Sequence, residues 1–292
     1  MEIWHIPVVF TVGILAGFIN TLAGGGSLLT LPVLIFMGLP TAVANGTNRI
    51  AIMTQCMSAV AGFKKKGVSN FKLSLLFSIP GILGAIIGAQ IAVDISDLLF
   101  KRVLAIIMMF VLGLILWDPR QSPGAILKAT HRSESVGHAG GRSAVAERRT
   151  RTSAKRWHAN RQMSGGNPVS SGRNQIIVTM VALFFIGIYG GFIQVGVGFI
   201  IIAALTTITG FNLVVTNSHK VFIAGIYTIF ALTVFVFNGK VCWTIGLILA
   251  AGMGLGGWIG SHWAVARGER WIRLVLTICV VAMVIKLSGL IP

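Results

Sequence analysis

The chain alternates between long apolar stretches and short polar connections, and its second half repeats the pattern of the first. Eight of the stretches approach the ~20 residues that a helix needs to cross a bilayer. They lie at 4–23, 41–62, 72–92, 98–117, 176–195, 212–237, 243–263 and 270–290. The pattern predicts an all-α, polytopic membrane protein with about eight transmembrane helices in two four-helix repeats.

Two shorter apolar pieces, 27–38 and 198–209, interrupt this pattern at matching places in the two halves. Each follows a glycine-rich break, Gly24-Gly25-Gly26 in the first half and Gly196-Val197-Gly198 in the second. They are too short to cross alone, so we predict half-helices of broken or re-entrant segments. Non-helical backbone at membrane depth is tolerated only inside the protein or beside a water-filled cavity. Both breaks should therefore face inward, toward a site.

Glycines also recur at helical spacing later in each half, where they predict close helix packing rather than a site. They are Gly81, Gly84, Gly88, Gly252, Gly256 and Gly260. The register between the halves is 171 or 172 positions, as from Arg49 to Lys220 and from Gly84 to Gly256. An internal repeat of this size in an apolar chain is typical of transporters.

Composition agrees with a membrane protein, since 55% of the residues are apolar and the mean hydropathy is +0.86. Eleven of the 24 Lys and Arg residues lie between Asp118 and Gln175. We therefore predict a basic, disordered cytoplasmic linker at 118–175, between a first repeat at 1–117 and a second at 176–292. The net charge of +17 follows the positive-inside rule, so we expect no nucleic-acid partner.

The short basic loops set the predicted orientation. Lys64-Lys65-Lys66 and Lys240 lie an even number of predicted spans from the linker, so all three regions should face the cytoplasm. The expected location is the cell inner membrane, with the lipid bilayer as partner and a homo-oligomer left open. The three cysteines show no metal-ligand spacing, and we expect neither a metal nor a cofactor.

One lone cation stands inside an apolar stretch of each half, Arg49 in 41–62 and Lys220 in 212–237. Burying such a charge costs roughly 2.5–3.5 kcal/mol at the bilayer centre, so something must compensate it. The seven acids all lie at segment ends or in loops: Glu2, Asp94, Asp97, Asp118, Glu134, Glu147 and Glu269. Each cation therefore faces a wet cavity, caps carbonyl groups of the glycine breaks, or awaits an anionic substrate.

Neutral hydrogen-bond donors near each cation and each break favour a small anionic substrate, because they bind oxyanion oxygens without adding charge. The half-helices would add N-terminal N–H groups, with Ser27 as a cap on the first. The predicted substrate-binding residues are Asn20, Ser27, Asn45, Thr47, Asn48, Arg49, Gln194, Asn217, Ser218, His219 and Lys220.

Lack of an intramembrane acid also bears on mechanism, since proton and sodium coupling usually need one. The pattern favours passive, potential-driven anion export, or uptake with protons bound to the substrate. An enzyme is disfavoured because no Ser/His pair, metal motif or carboxylate cluster lies within the spans. A cation channel is disfavoured because it would use acidic rings. An assembly or structural subunit without a substrate remains the alternative.

The chain resembles the TauE/SafE family of sulfite and organosulfur-anion permeases. The resemblance rests on Gly17 to Pro32, on Ala44 to Asn48, on Gly190 to Gly198 and on Thr216 to Lys220, and it covers about 1–117 and 175–290. It implies a multi-pass bacterial inner-membrane protein that transports sulfite, a sulfonate or a similar small anion. The long insert at 118–175 departs from the family pattern and leaves a regulatory role of the linker open.

Overall fold

The structure is a computed structural model that describes residues 5–68, 71–104, 106 and 173–267. Internal contacts divide the chain into two units, Met1–Ile115 with Gln175–Pro292, and Leu116–Asn174. The helices below belong to the first unit, apart from two residues at the start of the fifth. The predicted span 270–290 and nearly all of the predicted linker 118–175 lie outside the described residues.

Eight helices account for most of the described chain, which contains no strand. They are α1 His5–Leu22, α2 Ser27–Phe36, α3 Thr41–Lys65, α4 Phe71–Asp94, α5 Arg173–Phe192, α6 Val197–Thr209, α7 Leu213–Phe237 and α8 Trp243–Arg267. Residues 97–104 are also helical. The all-α prediction is confirmed for these residues, and both short apolar pieces form separate helices after a glycine break.

Four helices are long and apolar enough to cross a membrane by length and composition: Lys72–Asp94, Asn174–Phe192, Leu213–Phe237 and Trp243–Ala266. The apolar part of α1, Ile6–Leu22, is shorter than these four helices. α3 has 25 residues but is much less apolar than the others, because Asn, Thr, Gln and Arg side chains stand along it. Most of its residues are buried, and it packs against α7 and α8.

Glycines bring helices of the two halves into backbone contact, which confirms the packing role predicted for them. A Cβ at Gly84 or Gly88 of α4 would collide with the carbonyl of Phe184 or Ile188 of α5. A Cβ at Gly256 of α8 would collide with the carbonyl of Ile14 of α1 in the same way. Thus the first helix of each half packs against the last described long helix of the other half.

The two glycine breaks also touch each other. Gly24 has φ +90°, in the region that disfavours side chains, and it ends the turn after α1. A Cβ at Gly24 would collide with the backbone of Gly198, and a Cβ at Gly198 would collide with Gly24. The breaks therefore lie in the interior, as predicted, and the starts of α2 and α6 are held together there.

Candidate functional site

Three successive carbonyl groups at the C-terminal end of α1 accept hydrogen bonds from side chains of α7, and the carbonyl of Asn20 also accepts one from the N–H of Gly24 at 2.9 Å. Lys220 donates from Nζ to the carbonyl oxygens of Asn20 at 2.9 Å and Thr21 at 3.0 Å. Asn217, one turn earlier in α7, donates from Nδ2 to the carbonyl oxygen of Leu22 at 3.0 Å. The last carbonyls of a helix lack intrahelical partners, so α7 caps α1 at its break.

The end of α5 is capped by α3 in the same way, with the cation bound to two carbonyl groups and an asparagine bound to the third. Arg49 donates from Nη1 to the carbonyl oxygen of Gly190 at 3.2 Å, and from Nη2 to that of Gly191. Asn45 donates from Nδ2 to the carbonyl oxygen of Phe192 at 2.7 Å. The Arg49 guanidinium carbon also lies 4.7 Å from the centre of the Phe235 ring, a cation–π contact.

These two caps cross between the halves of the chain. The cation and the asparagine of one half bind the broken helix of the other half, and three consecutive carbonyls are satisfied each time. A helix C-terminus carries roughly half a negative charge, which stabilises each cation without a carboxylate. Of the alternatives left open by the sequence, carbonyl capping is the one that the structure shows.

The polar side chains at the breaks are also fixed by hydrogen bonds. Asn20 donates from Nδ2 to Oε1 of Gln55 at 2.6 Å, and its Oδ1 accepts from the N–H of Gly26 at 3.3 Å. Gln194 has φ 52°, an uncommon conformation for a residue with a side chain. Its Nε2 donates to Oγ1 of Thr228 at 2.7 Å, and its Oε1 accepts from Arg49 at 3.3 Å.

A small cavity of about 20 Å³ lies where the breaks meet, which is room for about one water molecule. Four of the predicted substrate-binding residues line it: Asn20, Ser27, Gln194 and Lys220. The other lining residues are Gly24, Ile52, Gln55, Cys56, Val197, Gly198, Val221, Ala224 and Tyr227. Lys220 is the cation among them, and two of its three donors are used by the carbonyls of α1.

Both short helices begin at this cavity, because Ser27 and Val197 are the first residues of α2 and α6. Their N-terminal ends carry the positive end of the helix dipole. The N–H groups of Leu28, Leu29 and Phe199 already donate to the carbonyl oxygens of Gly25, Gly26 and Gly196. The prediction that Ser27 caps α2 is wrong: Gly26 holds the N-cap position and no side chain caps the helix. Ser27 is already helical and lines the cavity instead.

The other predicted site residues do not line the cavity. Arg49 is fully buried and caps α5 together with Asn45, as described above. Thr47 accepts a hydrogen bond from the N–H of Cys242 at 2.9 Å. Asn48 accepts one from Oγ1 of Thr30 in α2 at 2.7 Å. These bonds join α3 to its neighbours.

On α7, the two residues before Lys220 face away from the cavity as well. Ser218 donates to the carbonyl oxygen of Val68 at 2.7 Å. His219 is buried, with Nδ1 2.7 Å from Oγ of Ser74 and its ring stacked on Phe211 at 5.1 Å. Asn217 serves the cap of α1. The structure therefore divides the predicted residues into those that line the cavity, those that cap the broken helices, and those that join helices elsewhere, such as Thr47, Ser218 and His219.

Gln55 and Tyr227 belong to the candidate site although neither was predicted from the sequence. Both are buried and line the cavity, and they stand 172 positions apart, in the register of the repeat. Gln55 also donates from Nε2 to Oγ1 of Thr21 at 2.7 Å, which holds the end of α1. The available signal was the position of each residue, about two turns beyond the cation on the same helix.

Together, the broken helices, the buried cations capped by carbonyl groups, and the apolar helices long enough to cross a membrane indicate a multi-pass membrane protein built around a polar centre. Comparison of sequences then gives the family. The chain belongs to the family described as sulfite exporter TauE/SafE, which it matches over residues 9–287. The resemblance noted from the motifs is thereby confirmed.

Relatives of this chain are probable membrane transporters. One from Sinorhizobium sp, ORF9, is 25% identical over 282 residues and covers 97% of this chain and 92% of its own length. A Haemophilus influenzae relative is 25% identical, with 97% and 94% covered, and YfcA of Escherichia coli K12 is 26% identical, with 97% and 89% covered. No solved structure matches the chain significantly.

Proposed function

We propose that this protein moves a small oxyanion, such as sulfite or a sulfonate, across the bacterial inner membrane through the cavity between the glycine breaks. The observation that carries the proposal is the position of Lys220. It lines the cavity with one donor beyond those used by the α1 carbonyls, beside the N-terminal ends of α2 and α6. Helix N-termini attract anions through the positive end of the helix dipole.

The charge at this centre supports the same proposal. Arg49 and Lys220 are both buried, whereas the acids within the described residues, Asp94 and Asp97, are exposed. Two full positive charges face the roughly half negative charge of each of two helix ends. The centre therefore stays positive overall, and an anion entering it gains a favourable interaction that a cation does not.

The cavity has room for about one water molecule, whereas sulfite carries three oxygens around its sulfur. Transport therefore requires the two break regions to move apart, so the described arrangement is a closed one. The matching positions of the breaks and cations in the two halves support eight membrane spans in two four-helix repeats, with the site at their interface. In that topology the linker at 118–175 and the loop at Lys64–Lys66 face the cytoplasm.

Membrane potential can drive this transport without a coupling ion. An inside-negative potential favours the exit of a monovalent anion by about 2.3 kcal/mol per 100 mV. The direct test is radiolabelled sulfite flux in proteoliposomes with and without an imposed potassium diffusion potential. We expect voltage-driven flux in the wild type, loss of flux in Lys220→Ala, and normal flux in the control Lys64→Ala, which removes an exposed cation of α3.

The outcomes separate the proposal from its alternative. Wild-type flux in correctly folded Lys220→Ala would contradict the assignment of the site. No flux of sulfite or any tested sulfonate in the wild type, with binding equally absent, would instead favour a structural or assembly subunit. Arg49→Ala is expected to lose transport as well, because it removes the cap of α5 and the hydrogen bond that orients Gln194.

A further inference from the structure

The carbonyl groups at both breaks form the kind of site at which secondary transporters hold a free cation. In such proteins, half-helix C-terminal ends and unwound carbonyls coordinate the coupling ion at the interface of the repeats. Here the paired carbonyls of Asn20 and Thr21 bind Lys220, and those of Gly190 and Gly191 bind Arg49. Each place is filled by a cation of the chain itself.

We propose that Lys220 and Arg49 are tethered replacements for free coupling cations, so that the wild-type protein neither binds nor needs sodium or potassium. Removing either side chain then opens a carbonyl site that accepts a free cation of matching shape. The part of this inference that concerns coupling of transport to a free cation rests on the proposed transport function. The cation sites themselves stand on the hydrogen bonds of the two breaks.

Two unpartnered oxygens support a cation site rather than a simple helix cap. Oδ1 of Asn217 and Oδ1 of Asn45 are buried and have no hydrogen-bond partner, although each residue uses its Nδ2. Asn217 stands three residues before Lys220, and Asn45 four residues before Arg49, so each shares a helix face with its cation. A buried polar atom without a partner needs an explanation. Each oxygen belongs to an asparagine that already bonds the carbonyl next to the pair, at Leu22 or Phe192, and neither Lys220 nor Arg49 donates to it. Each is therefore an acceptor that a free cation could use once the tethered cation is removed.

The two sites differ in the shape of the cation that they hold. At α1 the ligand is a compact ammonium group, 2.9 and 3.0 Å from two carbonyl oxygens. At α5 it is a planar guanidinium, which reaches Gly190, Gly191 and the Oε1 of Gln194 while lying against the Phe235 ring. Ammonium and guanidinium present their donors differently, so each truncated site should prefer its own kind of ion.

Thermal unfolding of the full-length protein in lipid nanodiscs tests this without any transported anion. Wild type, Lys220→Ala, Arg49→Ala and the control Lys64→Ala are compared in choline, sodium, potassium, methylammonium and guanidinium chlorides at equal ionic strength. Methylammonium should raise the Tm of Lys220→Ala by about 2–4 °C above its value in choline chloride. Guanidinium at ~10 mM should raise the Tm of Arg49→Ala by a similar amount. The Tm of the wild type and of Lys64→Ala should not change when choline is replaced by either of these cations.

Crossed specificity is the decisive result. Equal responses of both variants to both organic cations would contradict the proposal, as would no response of either. Sodium or potassium stabilisation of the wild type over choline would overturn it without any variant. If Lys220→Ala does not fold, Lys220→Met keeps most of the apolar stem and should show sodium or potassium stabilisation that the wild type lacks.

Sulfite flux, measured separately in the same preparations, distinguishes failure of this inference from failure of the proposed function. Flux that is independent of sodium and potassium in the wild type agrees with tethered cations. Absent flux together with crossed rescue of Tm would leave the cation sites standing and reject the transport assignment. Sodium-dependent wild-type flux would retain transport and reject the tethered replacement.

Discussion

At the scale of single residues, the two buried asparagines show how a polar side chain becomes indispensable inside an apolar protein. Asn45 and Asn217 are both fully buried, and each donates to the last carbonyl of a broken helix. Such a carbonyl has no intrahelical partner. Removing the donor leaves a buried acceptor unsatisfied, which costs more than the hydrogen bond itself contributes.

We therefore expect Asn217→Leu and Asn45→Leu each to destabilise the protein by about 1–3 kcal/mol. The control is Asn238→Leu at the exposed end of α7, where the side chain bonds only its own helix. Denaturant-induced unfolding in detergent measures the difference. Equal stability of the three variants would show that the carbonyl of Leu22 or Phe192 finds another partner.

We also expect substitutions of the single residue Gln55 to change transport. It links Asn20 and Thr21 at the end of α1 to α3 and lines the cavity. Gln55→Leu should lower the maximal anion flux at least tenfold by freeing the Asn20 side chain, while Gln55→Glu should lower anion affinity by adding a negative charge beside Lys220. Concentration dependence of sulfite flux separates the two variants, and identical behaviour would argue against a polar role for this position.

At the scale of helices, glycine spacing decides which helices become neighbours. α1 approaches α8 and α5 approaches α4 closely enough that added Cβ atoms would meet backbone carbonyls. The sequence correctly marked these glycines as packing positions through their spacing on one helix face. It did not say which helix each face meets, because small residues make close approach permissible without choosing a partner.

Two glycines of α4 provide a matched test of this packing. A Cβ at Gly84 would collide with the carbonyl of Phe184, whereas one at Gly81 would lie 3.8 Å from its nearest neighbour, the carbonyl of Leu183. Gly84→Ala should destabilise by about 1–3 kcal/mol through overpacking. Gly81→Ala should be neutral or stabilising by up to about 1 kcal/mol, since alanine favours the helix. Thermal unfolding of both variants checks this, and similar losses would contradict the assigned interface.

At the scale of the whole molecule, the crossed caps make each half depend on the other. The end of α1 is completed by Lys220 and Asn217, and the end of α5 by Arg49 and Asn45. A half expressed alone would lose the side-chain donors of the other half at three carbonyl groups and would leave one buried cation without its acceptors. Leaving a buried charge uncompensated costs several kcal/mol.

We expect residues 1–117 and 176–292 each to be degraded when produced alone, and to form a protease-resistant complex when produced together. Joining them by a short Gly/Ser linker in place of 118–175 should preserve both stability and flux, because no described residue of the site lies in that segment. Abundance in membranes and limited proteolysis provide the readout. A half that accumulates alone as a folded monomer would contradict the dependence.

The described helices, the two breaks and the uncompensated cation of each half follow from the amino-acid sequence without knowledge of the fold. Those features are local, because apolar runs, glycines and missing acids are visible position by position. Tertiary packing was needed to place Lys220 at the cavity and Arg49 against Phe235, and to set each cation on the helix of the opposite half. Partners more than 140 positions apart are chosen by packing, because many carbonyl groups could satisfy a cation and the fold brings only a few within reach.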